Sequence, residues 1–165
     1  PRVAGITKMK HVVRKIAGAA VAALLCIAPL TACMPSAGIG NARAEIRVNG
    51  VSYVVIEVLA GDTSRSLYDA LAAFAEQGDI RLDGGETEYG FFVTSVNGRE
   101  ANADYYWAVY TTLGTVNGTA YSDAAYGTWE YDGRTLAMAS YGVSGLPLFE
   151  DEYYALIWTP IAQSA

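Results

Sequence analysis

The run from Ile16 to Leu30 is almost entirely apolar, and it divides the 165-residue chain into two parts of opposite kind. It follows a basic stretch, Met9 to Lys15, and falls short of the ~20 residues that a membrane-spanning helix needs. That combination fits the hydrophobic region of an export signal, with Met9 a better initiator than the residues before it. Whatever folds in water therefore begins beyond residue 32. Five of the 11 basic residues (Arg2, Lys8, Lys10, Arg14 and Lys15) lie in the leader, and no acid occurs before Glu45. Six arginines then stand against all 17 acids, so the part after the leader carries a net charge of −11 where the whole chain averages to −6.

Leu30-Thr31-Ala32-Cys33 resembles the bacterial lipobox, in which small residues precede a cysteine that becomes the new N-terminus. The chemistry requires cysteine because a thiol forms a stable thioether to diacylglycerol, and two acyl chains hold a protein where one is marginal. The expected organisation is a signal peptide over 1–32, lipidated Cys33 with a flexible tether over 33–44, and a folded domain over 45–165. Pro35, Ser36, Gly38 and Gly40 suggest the tether. The protein is then extracytoplasmic and attached to the cell membrane by lipid. An ordinary secretory signal cleaved near Ala32, with Cys33 incidental, is the alternative.

Composition removes several kinds of chemistry. An acidic domain with scattered arginines lacks the basic stripe that nucleic acid requires. Past the leader there is no lysine and no histidine, and Cys33 is the only thiol. Ser–His, Cys–His and Ser–Lys nucleophiles are thereby excluded, as are histidine- and thiolate-based zinc sites and disulfides. Carboxylates remain, concentrated at Glu150-Asp151-Glu152 and at Asp83, Glu86 and Glu88. Neither group follows the EF-hand pattern, and both read first as solvated turns. Asn117-Gly118-Thr119 matches a glycosylation sequon, an accidental match in a bacterial lipoprotein. The expectation is a protein with no enzymatic activity and no cofactor.

Glu45–Val48 and Val51–Leu59 read as a hairpin around Asn49-Gly50, with a two-residue type I′ turn and Ser52, Val54, Ile56 and Val58 on the core face. Ser66 and Asp69 form a capping box ahead of the stripe Leu67, Ala70, Leu71 and Phe74, and Gly78 ends that helix. Tyr89–Val96 is a strand closed by Asn97-Gly98, and Tyr105–Thr112 is another, with Tyr106, Ala108 and Tyr110 opposite Tyr105, Trp107 and Val109. Leu113–Arg134 is rich in Gly, Tyr and Asp and reads as mostly irregular, with a short hairpin around Asp132-Gly133. Thr135–Tyr141 and Tyr153–Thr159 complete the strands. These elements give an α+β class, a mainly antiparallel or mixed sheet carrying one helix.

All 12 Tyr, 3 Trp and 4 Phe lie after the leader, more aromatics than one small core needs to bury. The exposed remainder marks a binding surface, with Tyr105, Tyr106, Trp107, Tyr110, Tyr141, Tyr153, Tyr154 and Trp158 as candidates. Certain words, in order, resemble a bacterial domain family of unassigned function that is similar to the C-terminal domain of transcobalamin and intrinsic factor. They are Ser66-Leu67 with Ala70-Leu71, Phe91 to Gly98, Tyr105-Tyr106-Trp107, and Tyr141 to Leu148 leading to Asp151 and Tyr153–Trp158. The resemblance leaves 113–134 unmatched. It implies a β-grasp-like fold and a non-enzymatic module that closes over a flat ligand, a cobalamin or other corrinoid. Carried over by position, the strand with Tyr106, Trp107 and Tyr110 and the loop with Tyr141, Gly142, Val143, Leu146 and Pro147 line that site. Partners on this reading are the membrane, a small corrinoid ligand and an importer. An adhesive or structural module for an envelope protein or glycan is the alternative.

Overall fold

The computed structural model describes residues 34–161. The expected signal peptide and Cys33 lie outside the described residues. The chain runs β1 (Ser36–Ile39), β2 (Ala42–Asn49), β3 (Tyr53–Ala60), β4 (Asp62–Ser66), α1 (Leu67–Gln77), β5 (Leu82–Thr87), β6 (Gly90–Val96) and β7 (Arg99–Glu100). It continues through β8 (Tyr105–Thr111), β9 (Thr115–Val116), β10 (Thr119–Ala120), β11 (Ser122–Tyr131), β12 (Arg134–Ala139), a 3-10 turn at Val143–Gly145, β13 (Pro147–Leu148) and β14 (Tyr153–Pro160). Seven strands form one sheet in the order β1-β2-β3-β14-β8-β12-β11, and every pair in it is antiparallel. Smaller sheets are β5-β6-β7, β4 with β13, and β9 with β10. Among the described residues no helix is long and apolar enough to cross a membrane.

This architecture overturns the α+β, β-grasp-like expectation. The described residues are mostly strand, in a sandwich-like arrangement with α1 as one minor component. Both edges of the large sheet come from segments expected to be irregular. The supposed tether over 33–44 supplies β1 and the start of β2, joined at Gly40-Asn41, with Gly40 at φ +63°. Ala37, Ile39, Ala42 and Ala44 alternate into the core there, a period-two pattern muted by small side chains. At the other edge, the ten residues of β11 occupy much of 113–134.

Both faces of the sheet are buried. On one, Ile46, Val54, Ile56, Val58, Tyr154 and Leu156 meet the apolar stripe of α1 and the inner side of β6. The helix is built as its sequence predicts. Ser66 Oγ accepts the Asp69 N–H, Asp69 accepts the Ser66 N–H at 2.7 Å, and Gly78 closes the last turn at φ +84°. On the other face Val55, Ala108, Tyr110, Leu136, Tyr153 and Ala155 form a second core. That core is roofed by curling of the sheet itself. Trp129 on β11 lies 5.1 Å from Tyr53 on β3, although three strands separate them in the order. The register break between Asp123 and Thr128, with Gly127 at φ +142°, lets β11 turn over that face.

Asn49-Gly50 does not form the expected two-residue turn. Asn49 pairs with Tyr53 as the last strand residue, and Gly50, Val51 and Ser52 make the loop. The Asn97-Gly98 turn has positive φ at both positions, 52° and 80°, as type I′ requires.

Tyr154 is fully buried, and its hydroxyl donates to Pro147 O at 2.6 Å while accepting the Phe149 N–H at 3.2 Å. Burial pushes this hydroxyl well above the ordinary tyrosine range, with the Phe149 N–H opposing the shift. Tyr110 and Tyr153 move in the same direction, again chiefly by desolvation. The folded state therefore holds these protons more tightly than the unfolded chain does. Their contribution is intact below about pH 10 and is lost as the pH rises further, where unfolded tyrosine ionises. Urea unfolding from about pH 8 to about pH 11 is expected to show flat stability and then a fall, which Tyr154→Phe makes shallower. A decline already complete below about pH 9 contradicts this account.

Candidate functional site

The hairpin β5–β6 projects beside the large sheet, and the 3-10 turn after Tyr141 faces it. Thr87 Oγ1 donates to Gly90 O at 2.7 Å and accepts the Tyr89 N–H at 3.1 Å, which sets the hairpin tip. The Phe91 N–H donates to Ser144 Oγ at 2.9 Å, tying the hairpin to the turn. Gly90, at φ +95°, permits that approach, since a Cβ there would lie 2.6 Å from Ser144 Cβ. At the opposite end, Asn97 Nδ2 donates to Gly50 O at 3.1 Å and Arg99 Nη1 to Val51 O at 3.0 Å. The Arg99 guanidinium lies 4.3 Å from the Trp158 ring centroid, and its carbonyl accepts Trp107 Nε1–H at 2.9 Å. The small sheet is thus fastened to the 3-10 turn at one end and to the large sheet and its β2–β3 loop at the other.

Between these fastenings lies a cleft of three adjoining depressions that share Phe92 and Gly142. The largest, of about 580 Å³, is bounded by Thr87, Glu88, Tyr89, Gly90 and Phe91. A narrow one of about 100 Å³ lies between Phe91, Val93, Trp107, Val109 and Val143. A third of about 310 Å³ continues along β8 past Met138, Ala139, Ser140 and Tyr141. Phe91 stacks on Tyr68 of α1 at 4.5 Å, which leaves the neighbouring Phe92 turned outward. Tyr89 is 85% exposed, Phe92 60% and Tyr141 46%, a rim of aromatic surface that the core does not use.

Of the expected site residues, Trp107, Tyr141, Gly142 and Val143 meet at this cleft, and Tyr106 reaches its far margin. Tyr110 does not. Successive residues of β8 face opposite sides, so Tyr106 and Tyr110 pack with the second core while Trp107 packs with the first. Leu146 is fully buried, and its carbonyl accepts the Leu67 N–H at 2.8 Å at the start of α1, a structural duty. Pro147 borders a separate polar depression of about 400 Å³ beside Ser66, Asp69 and Tyr121. The aromatics Tyr89, Phe91 and Phe92 were missed as site residues. For Phe91 and Phe92 the signal was the doublet itself in an alternating strand, which must place one ring on each side.

Among the described residues Glu88 is the one charged side chain bordering the cleft. Glu152 accepts a hydrogen bond from Thr112 Oγ1, and Asp151 occupies a turn at φ +63°. Among the described residues no group of three or more His, Cys, Asp or Glu is placed to hold a metal ion. The arrangement suits burial of an apolar ring surface, with one carboxylate, Glu88, at its margin. Searches against protein-family models, curated proteins and solved structures return no match to this chain.

Proposed function

We propose that this domain is a binding module that holds a small flat ligand in the cleft between the β5–β6 hairpin and the Tyr141–Gly145 turn. The observation that carries this reading is the continuity of the three depressions with the exposed rings of Tyr89, Phe92 and Tyr141. Such rings contribute large contact area at low entropic cost when they cover a planar apolar partner. The resemblance of Phe91–Gly98, Tyr105–Trp107 and Tyr141–Leu148 to the transcobalamin-like family names a corrinoid as the ligand. A lipid on Cys33 keeps the module at the outer side of the cell membrane, where it hands ligand to an importer.

Titration of the full chain with cobalamin and with cobinamide, followed by absorbance and tryptophan fluorescence, tests the reading. Saturable change is expected, and Phe92→Ala is expected to weaken it by about tenfold, the effect of losing one ring-on-ring contact. No saturable change at high micromolar ligand removes the corrinoid and leaves the envelope protein or glycan as the partner class.

A further inference from the structure

We propose that the end of the large sheet bearing Val48, Val51, Tyr105 and Ile161 lies on the phospholipid surface to which the chain is anchored, with the cleft held outward. The inference rests on the lipid anchor at Cys33 and adds to it the face that meets the bilayer. The described chain begins beside that end. Pro35 O accepts the Ile46 N–H at 3.1 Å and Ser36 pairs with Glu45, so β1 enters the sheet from the side where β2 finishes at Asn49. The two residues from Pro35 to Cys33 reach at most ~7 Å. Because the segment expected to be a tether is a strand, a lipid on Cys33 holds the domain close against its membrane.

Hydrogen bonds make one continuous surface of the loops and strand termini at this end. Trp158 N–H donates to Ser52 O at 2.9 Å, joining the β2–β3 loop to β14. Arg99 Nη1 donates to Val51 O at 3.0 Å, joining that loop to β7. Pro160, the last residue of β14, lies opposite Tyr105, the first of β8, and Ile161 N–H donates to Asp104 O at 2.7 Å. Val48 is 40% exposed, Val51 43%, Tyr105 39% and Ile161 42%. Among the described residues, the other exposed large hydrophobics are Tyr89, Phe92 and Tyr141 on the cleft rim, and Tyr126 on β11. The sheet end thus gathers apolar side chains that serve neither a core nor the cleft.

The side chains here suit a lipid headgroup layer. The Tyr105 and Trp158 rings stack with centroids 5.5 Å apart, and the Arg99 guanidinium lies over Trp158. Tyrosine and tryptophan settle at bilayer interfaces, where an apolar ring body and a polar tip are both satisfied. Shallow burial of a few apolar side chains beside a covalent lipid lets a domain lie on a membrane without crossing it. Charge sets the orientation. Near this end Arg81 and Arg99 stand against Asp79, Glu100 and Asp104. Asp62, Glu150 and Asp151 gather at the opposite end, where β3 finishes at Ala60, and the hairpin tip with Glu88 points the same way. Anionic lipid repels those acids, so the cleft mouth opens to the solvent from which ligand arrives.

The full chain, made in a bacterial host and returned to nanodiscs of phosphatidylethanolamine with phosphatidylglycerol, carries one nitroxide label at Val48→Cys, Val51→Cys or Glu150→Cys. Intact mass reads the lipid on Cys33 separately. Labels at 48 and 51 are expected to collide with an aqueous nickel chelate several-fold less often than the label at 150, and with oxygen more often. Equal collision rates at the three positions on a lipidated chain overturn this proposal and leave the anchor standing. Spin–spin broadening at 48 and 51 without a gain in oxygen collisions assigns the face to a second copy and overturns it as well. A mass that lacks diacylglycerol removes the anchor, and this proposal with it.

Discussion

Phe74→Ala is expected to cost about 3–5 kcal/mol of unfolding free energy, the largest loss for any single truncation in the helix. Phe74 is fully buried, and with Leu67, Ala70 and Leu71 it forms the stripe by which α1 joins the first core. An eleven-residue helix is too short to persist by propensity, so its order depends on that stripe. The cavity left by a lost ring cannot collapse easily against a sheet that is itself packed on both faces. With typical domains stable by only about 5–15 kcal/mol, much of the margin disappears. Urea unfolding measures the loss, with Glu76→Ala, on the exposed side, as a control near zero. A shift under about 1 kcal/mol for Phe74→Ala means that the helix is not anchored as described.

The second large effect is expected from adding one methyl group. Gly84 on β5 lies opposite Val93 at a register break, and a Cβ there would lie 2.2 Å from Phe92 O and 2.6 Å from Phe91 Cε1. Neither neighbour gives way cheaply, since one is main chain and the other is a ring held against Tyr68. Gly84→Ala therefore forces β5 and β6 apart, at about 1–3 kcal/mol, and displaces the two phenylalanines that shape the cleft. Gly85→Ala, one residue on, meets nothing within 4 Å and is the matched control. Stability and cobinamide binding are both expected to fall for Gly84→Ala and to hold for Gly85→Ala. Similar behaviour of the two variants contradicts this reading of the hairpin.

The elements that could be read from the sequence were those whose signals are local and redundant. Ser66, Asp69 and Gly78 bound α1 by capping chemistry that does not depend on the rest of the fold. Asn97-Gly98 marks a turn because both residues tolerate positive φ. The edges of the large sheet were not legible, for opposite reasons. In β1 the inward residues Ala37 and Ile39 are interspersed with Pro35, Gly38 and Gly40, so the alternation looks like a tether. In β11 the irregularity over 124–127 breaks the period, and much of the strand is exposed. The site was half legible. Alternation along β8 separates Trp107 from Tyr106 and Tyr110, and that period alone puts Tyr110 on the face away from the cleft. The Phe91-Phe92 doublet shows that one ring must face outward, but that it meets the Tyr141–Gly145 turn depends on a hairpin from another sheet, as does the place of Tyr89.

The curl that brings Trp129 over Tyr53 has a practical result for anyone surveying the aromatic residues. Tyr53, Trp129 and Tyr131 form a tier of rings closing the second core. Shortening them should register as an architectural defect, with recognition impaired only in proportion to the unfolded fraction. Rings along the cleft margin should behave the other way, leaving the melting transition in place while the affinity drops. The scatter of tyrosines through the chain thus sorts into mortar and fingertips, and a plot of stability against affinity would tell which is which.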